Sequence, residues 1–224
     1  MKWEYFIFNL LILFFPILSS LFYKKVEYPL NLNFYLANIV TCLIFIIHDI
    51  KVTGSWWKFN KKYILGFKLI KIPLEELMFF PVVAFSCTTI WLNLKNLKPW
   101  FNLINLKIII FFWIFITSFF LIISLKTKKP YSLFTISLFI FLISLDFFIK
   151  TNLIINPTFF ILILLVILLT FIFNFYLTKR PVVIYSRDKK SNINILTIPI
   201  EDFLYGVNFI YLLTIIYESL NLFR

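Results

Sequence analysis

Apolar runs of nearly twenty residues alternate along this chain with short polar or basic segments. A helix needs about 20 mostly apolar residues to cross a bilayer. On that measure, spans fall at about 3–22, 31–49, 73–93, 104–125, 131–149, 157–177 and 199–219. The pattern predicts seven helices. The first run carries one lysine and Glu4 but no small-residue cleavage site, so it is expected to be a span rather than a removed leader. Lys107, near the start of the fourth, can snorkel to the headgroups. The fifth is the most polar, with Ser132, Thr135, Ser137, Ser144 and Asp146.

Two intervening segments stand out. One runs from Lys51 through Gly54, Trp56, Trp57, Lys58, Asn60, Lys61 and Lys62 to Gly66, the other from Lys179-Arg180-Pro181 through Tyr185, Arg187 and Asp188 to Lys189-Lys190. Each leads into the same signature: Ile72-Pro73-Leu74-Glu75-Glu76, then Phe79, and Ile198-Pro199-Ile200-Glu201-Asp202, then Tyr205. The two prolines stand 126 residues apart. A proline in the first helical turn is a normal start, since its missing N–H would be unpaired there anyway. Carboxylates at membrane depth are costly unless neutralised or paired, so two matched pairs of acids require a cause.

Composition narrows the class. Hydrophobic residues make up 62% of 224 positions, aromatics 21%, and mean hydropathy is +0.95. A soluble domain of this length cannot bury that much apolar surface, so the class is an all-α polytopic membrane protein. The net charge of +12 reads as loop lysines facing anionic lipid, not as a nucleic-acid surface. Cys42 and Cys87 lie within apolar runs and behave as small hydrophobes. With seven spans, 15 of the 22 Lys and Arg fall on the face that carries the N-terminus and both motif loops. The positive-inside rule places that face in the cytoplasm and the C-terminus outside, in the cytoplasmic membrane of a bacterium.

Four crossings separate the motif helices, so both run in the same direction. The expected architecture is two parallel three-helix repeats, residues 1–95 and 129–224, joined by a connecting helix within 96–128. A repeat axis along the membrane normal puts both acid pairs at one depth. Successive helical residues point about 100° apart, so one acid of each pair can face a central cleft. If Glu75 and Glu201 face one another they can share a proton, giving a donor and an acceptor without a metal or redox cofactor. Acids in a first helical turn also meet the positive end of the helix dipole. Their recurrence, with proline and an aromatic at matched positions, argues for more than capping.

These motifs resemble those of the membrane-integral lycopene cyclases, made from two small homologous subunits or from one chain fusing both. His48-Asp49, Gly54, Trp57, Phe59-Asn60, Gly66 and Pro73-Leu74-Glu75-Glu76 follow the order of that family's first half. Pro181-Val182-Val183-Ile184-Tyr185 and Ile198-Pro199-Ile200-Glu201-Asp202 follow its second. The resemblance spans the chain and implies the fused form. It implies cyclisation of the ψ-ends of lycopene to β-rings, giving β-carotene through γ-carotene. It also implies apolar C40 partners within the bilayer, and leaves association with other carotenoid enzymes open. No cofactor is expected: the chain has three glycines and no Gly-rich dinucleotide fingerprint.

On this reading Glu75 and Glu201 are the expected acid/base pair, with Glu76 and Asp202 as second carboxylates relaying or tuning protons. Trp57, Phe79, Phe80, Phe203 and Tyr205 are the aromatics expected around a cation. Pro73, Pro199 and Asp49 are expected to be structural, Asp49 anchoring the loop after the second helix. His48, the one histidine, does not make a metal site by itself. Asp146 and Glu218 are expected to be solvated charges near helix ends. Two other classes fit the residues less well: a small proton-coupled transporter with the four acids as a relay, and a non-catalytic assembly partner.

Overall fold

The computed structural model describes residues 2–22, 26–96 and 104–222. Among these are seven α-helices: α1 (Glu4–Phe22), α2 (Leu32–Val52), α3 (Leu74–Asn96), α4 (Leu106–Thr127), α5 (Pro130–Ile149), α6 (Pro157–Lys179) and α7 (Ile200–Leu222). Each lies within a few residues of a predicted span. Six of them, α2 to α7, are long and apolar enough to cross a membrane, and α1 is apolar over Glu4–Leu18. The expected junction between the first repeat and the connecting helix falls partly at 97–103, outside the described residues.

The motif loops contain short strands that hydropathy did not predict. They are β1 (Trp57–Phe59), β2 (Lys68–Leu69) and β3 (Ile72–Pro73) before α3, and β4 (Val183–Tyr185), β5 (Asn194–Ile195) and β6 (Ile198–Pro199) before α7. Strands β2–β3 and β5–β6 form hairpins, while β1 pairs antiparallel with β4 across the two repeats. Pro73 and Pro199 therefore end strands, and the helices begin one residue later. The Leu74 amide donates to Phe67 O at 3.0 Å and the Ile200 amide to Ile193 O at 3.1 Å, extending each ladder where the prolines have no N–H to give.

The 126-residue offset recurs in the hydrogen bonds themselves. Tyr5 N donates to Tyr63 O and Tyr131 N to Lys189 O; Asn60 N donates to Val182 O and Ser186 N to Trp56 O. In the β1–β4 register Lys58 faces Ile184, with Trp57 opposite Tyr185 and Phe59 opposite Val183. That ladder maps onto itself about a twofold through the Lys58–Ile184 pair. Helix packing repeats too: α1 lies on α3 as α5 lies on α7, α2 bridges α3 to α7, and α6 bridges α7 to α3. The two repeats thus interlock through their second helices. Helix α7 is buried along nearly its whole length, and both acid motifs sit at the end carrying the paired strands.

Each hairpin turns on a non-glycine residue at positive φ, Ile70 at 59° and Leu196 at 56°. The left-handed region costs an L-residue roughly 1–2 kcal/mol, and Ile70 is 72% exposed, with no core contact to compensate. Ile70→Gly is expected to stabilise the protein by about 1 kcal/mol, seen as a higher thermal unfolding midpoint in detergent.

Asp146 departs from expectation. It is fully buried, accepting from Leu153 N at 3.0 Å, Ile154 N at 2.9 Å and Tyr211 Oη at 2.8 Å, and from Thr151 Oγ1. The turn after α5 is wound around this carboxyl, so it is structural and not solvated. Glu218 follows expectation more closely, pairing with Lys95 at 3.0 Å and accepting from Trp91 Nε1 at 2.7 Å.

Candidate active site

Helical spacing selects which acids face inward. Along α3, Glu76, Phe79, Phe80, Val83, Ser86, Cys87 and Ile90 line one cavity; along α7, Asp202, Tyr205, Gly206, Phe209 and Ile210 do. Both sets follow the i, i+3, i+4, i+7 rhythm of a single helix face. Glu75 and Glu201, about 100° around, are not part of it. The cavity measures about 130 Å³, and the rest of its lining is mostly apolar, from α1, α2, α6 and the paired strands.

Three carboxyls meet at its loop end. Asp202 accepts on both oxygens: Oδ1 from Tyr131 Oη at 2.9 Å, and Oδ2 from Tyr185 Oη at 2.7 Å and Asn174 Nδ2 at 3.1 Å. Glu76 Oε2 accepts from Tyr5 Oη, and its carboxyl is in hydrogen-bonding contact with that of Asp49. Asp49 Oδ1 accepts from Tyr205 Oη at 2.6 Å. Burial first, and then the charge of Asp202, push the Tyr185 phenol well above its usual pKa, so it remains a donor. Lys190, nearly buried in the loop before α7, is lowered by desolvation against the opposing pull of Glu201 and Asp202.

Glu75 and Glu201 do something else. Both are fully buried, and each grips its own loop. Glu75 Oε1 accepts from Leu65 N at 2.5 Å; Glu201 Oε1 accepts from Ser191 N and Ser132 Oγ, both at 2.6 Å. Leu65 and Ser191 are again 126 apart. The expected facing of Glu75 and Glu201 across a cleft does not occur, because each is turned toward the loop that precedes its helix. The polarity of the fifth span is thereby accounted for, since Ser132 serves this contact and Tyr131 serves Asp202.

Of the expected aromatics, Trp57, Phe79, Phe80 and Tyr205 line the cavity. Phe203 is buried but lies off that face of α7, one residue past Asp202. Asp49 is not a loop anchor through its side chain: its backbone carbonyl caps α2 by accepting from Thr53 N at 2.8 Å, while its carboxyl points into the cavity. His48 stacks on Phe134 with ring centroids 4.0 Å apart, and its Nδ1 lies 3.4 Å from Asp49 Oδ1.

Sequence reasoning missed Tyr5, Tyr131, Tyr185 and Asn174. Tyr5 and Tyr131 could have been found, being the same residue type 126 apart at the heads of α1 and α5. Tyr185 and Asn174 have Phe59 and His48 at the matching positions, so the repeat gave no hint of them. The second half surrounds its carboxylate with three donors, whereas the first gives Glu76 one donor and a neighbouring acid. Among the described residues, no group of three or more His, Cys, Asp and Glu is placed to hold a metal ion.

A family model described as lycopene cyclase matches residues 2–94 and 128–220, most of the chain. Comparisons with curated proteins and with solved structures gave no match. Both matched segments carry one acid motif, one hairpin and one of the paired strands, and each supplies acids to the common cavity. The chain belongs to the lycopene cyclase family.

Proposed function

We propose that this protein is a lycopene β-cyclase that converts ψ-ends to β-rings, with γ-carotene and then β-carotene as products. The observation that carries the proposal is the meeting of Asp49, Glu76 and Asp202 on one apolar, aromatic-walled cavity. A cavity of about 150 Å³ with apolar walls admits a benzene molecule. A space of about 130 Å³ is thus scaled to one six-membered ring.

The chemistry needs a proton donor, a proton acceptor and a dry wall for positive charge. Two carboxyls in hydrogen-bonding contact hold a proton between them, so the Glu76–Asp49 pair supplies the proton to the terminal double bond. The resulting tertiary cation is attacked by the internal double bond, closing the ring and moving the charge onto a ring carbon. Trp57, Phe79, Phe80 and Tyr205 offer π-faces to that charge. Asp202, accepting on both oxygens, takes the proton from the adjacent ring carbon, and the double bond re-forms. One proton is added and one removed, with no net redox change. Glu75 and Glu201 hold the loops that roof the site.

The protein is an integral membrane protein, and we place its acid end and N-terminus in the cytoplasm. That end carries 15 of the 22 Lys and Arg. The division into repeats at 1–95 and 129–224 with a connecting helix is part of the same proposal.

Production in lycopene-accumulating bacteria tests the function. Extracted pigment is expected to contain monocyclic γ-carotene and bicyclic β-carotene. Unchanged lycopene in cells whose membranes contain the protein would refute the cyclase assignment and favour a proton-relay or assembly role.

A further inference from the structure

We propose that the ψ-end reaches the acids along one flank only, through a groove between α1 and α6 that Gly206 holds open. The proposal rests on the cyclase reading. The repeat should build two flanks on the acid cluster, one against α1, α3 and α6 and the other against α5, α7 and α2. The first is hollow. Its cavity follows α3 from Glu76 to Ile90, about 21 Å at 1.5 Å per residue. That length gives the direction of the groove, while its volume of about 130 Å³ takes the reacting end group.

The difference lies in side-chain size at matched positions. On the hollow flank stand Gly206, Ser86 and Cys87; their counterparts 126 residues away are Phe80, Leu212 and Leu213. Phe80 packs against Phe45 and Phe209 with centroids 6.2 and 5.3 Å apart, and Phe45 lies 5.0 Å from Phe209, so an aromatic cluster packs toward α2 at the position matching Gly206, with Phe80 and Phe209 also forming part of the cavity wall. At Gly206 there is no side chain, and a Cβ there would lie 3.0 Å from Thr170 Oγ1. Phe15 lines the cavity yet is 62% exposed, which opens its α1 wall toward lipid. At the loop end the same helices are closed by Phe8 on Phe173, at 5.3 Å, and by the Arg180–Glu4 pair at 2.8 Å. Substrate therefore comes from the bilayer. With one groove and ring-sized space, each chain closes one end at a time, and the monocyclic product leaves before its second end can enter.

Two variants put bulk into the groove: Gly206→Phe, which copies Phe80 at the matched position, and Thr170→Ile, which replaces a small polar residue of its lining. Ring formation from lycopene is expected to fall by about 100-fold or more in Gly206→Phe and by a smaller factor in Thr170→Ile, with membrane protein levels and unfolding midpoints monitored. Thr170→Ile keeps the test decisive if Gly206→Phe fails to accumulate. A second readout is independent of turnover. In a Cys42→Ser background, lycopene should slow labelling of Cys87 by a lipid-soluble maleimide, and Gly206→Phe should abolish that protection. Wild-type ring formation in folded Gly206→Phe or Thr170→Ile, or Cys87 labelling indifferent to lycopene, would overturn the groove while leaving the cyclase assignment standing. Protection of Cys87 without any ring formed by the wild type would overturn the cyclase assignment and support the groove.

Discussion

Asp202→Asn is expected to stop ring formation with the protein still folded in the membrane, and Glu76→Gln to do nearly the same. General acid/base groups contribute about 10²- to 10⁴-fold, so a loss of roughly 10³-fold in the rate of ring formation is the expected scale. The substitution at position 202 is isosteric, but an amide nitrogen cannot accept. Whichever way the new amide is turned, either the Tyr131 hydroxyl or the Tyr185–Asn174 pair meets an N–H where it met an oxygen. At position 76, glutamine still accepts from Tyr5 but breaks the carboxyl pair with Asp49, leaving one acid where two shared a proton. Pigment analysis of cells producing each variant, normalised to membrane protein, gives the answer. Ring formation near the wild-type level in Asp202→Asn would remove that residue from the chemistry.

The same logic separates what was legible in the sequence from what was not. All seven helices were readable because each is an uninterrupted apolar run, and the parity of crossings fixed the relative direction of α3 and α7. The hairpins were not, since each strand is two residues long and each turn uses Ile70 or Leu196 in place of the glycine or asparagine such turns favour. A cost of about 1–2 kcal/mol per turn is carried there by the two ladders and by the carboxylate that grips each loop. The identity of the acid motif was legible, but which acid of each pair faces the cavity was not. Spacing left that choice open: Phe79 and Tyr205 stand three residues beyond Glu76 and Asp202 and four beyond Glu75 and Glu201, and both intervals share a helix face. Cross-repeat partners such as Tyr205 on Asp49, and the seat of Tyr185 on Asp202, depend on how α2, α6 and the paired strands swap between halves, and no local pattern encodes that.

Glu201→Ala is expected to cost stability before it costs chemistry, whereas Glu201→Gln should cost little of either. Alanine strips the acceptor from two donors, Ser191 N and Ser132 Oγ. A buried donor left unpaired costs about 1–3 kcal/mol, so the pair amounts to roughly 2–6 kcal/mol. Glutamine keeps an oxygen that can point at both. Glu75→Ala removes the acceptor of one amide, Leu65 N, and should lose about half as much. Ser132→Ala combined with Glu201→Ala should cost less than the sum of the two, because with both partners gone one unpaired donor disappears. Thermal unfolding of the detergent-solubilised variants reads these differences, and pigment analysis reads activity alongside. Were Glu201→Gln to abolish ring formation at an unchanged unfolding midpoint, a proton on Glu201 would be required by the reaction, and the roof over the cavity would belong to the chemistry as well as to the fold.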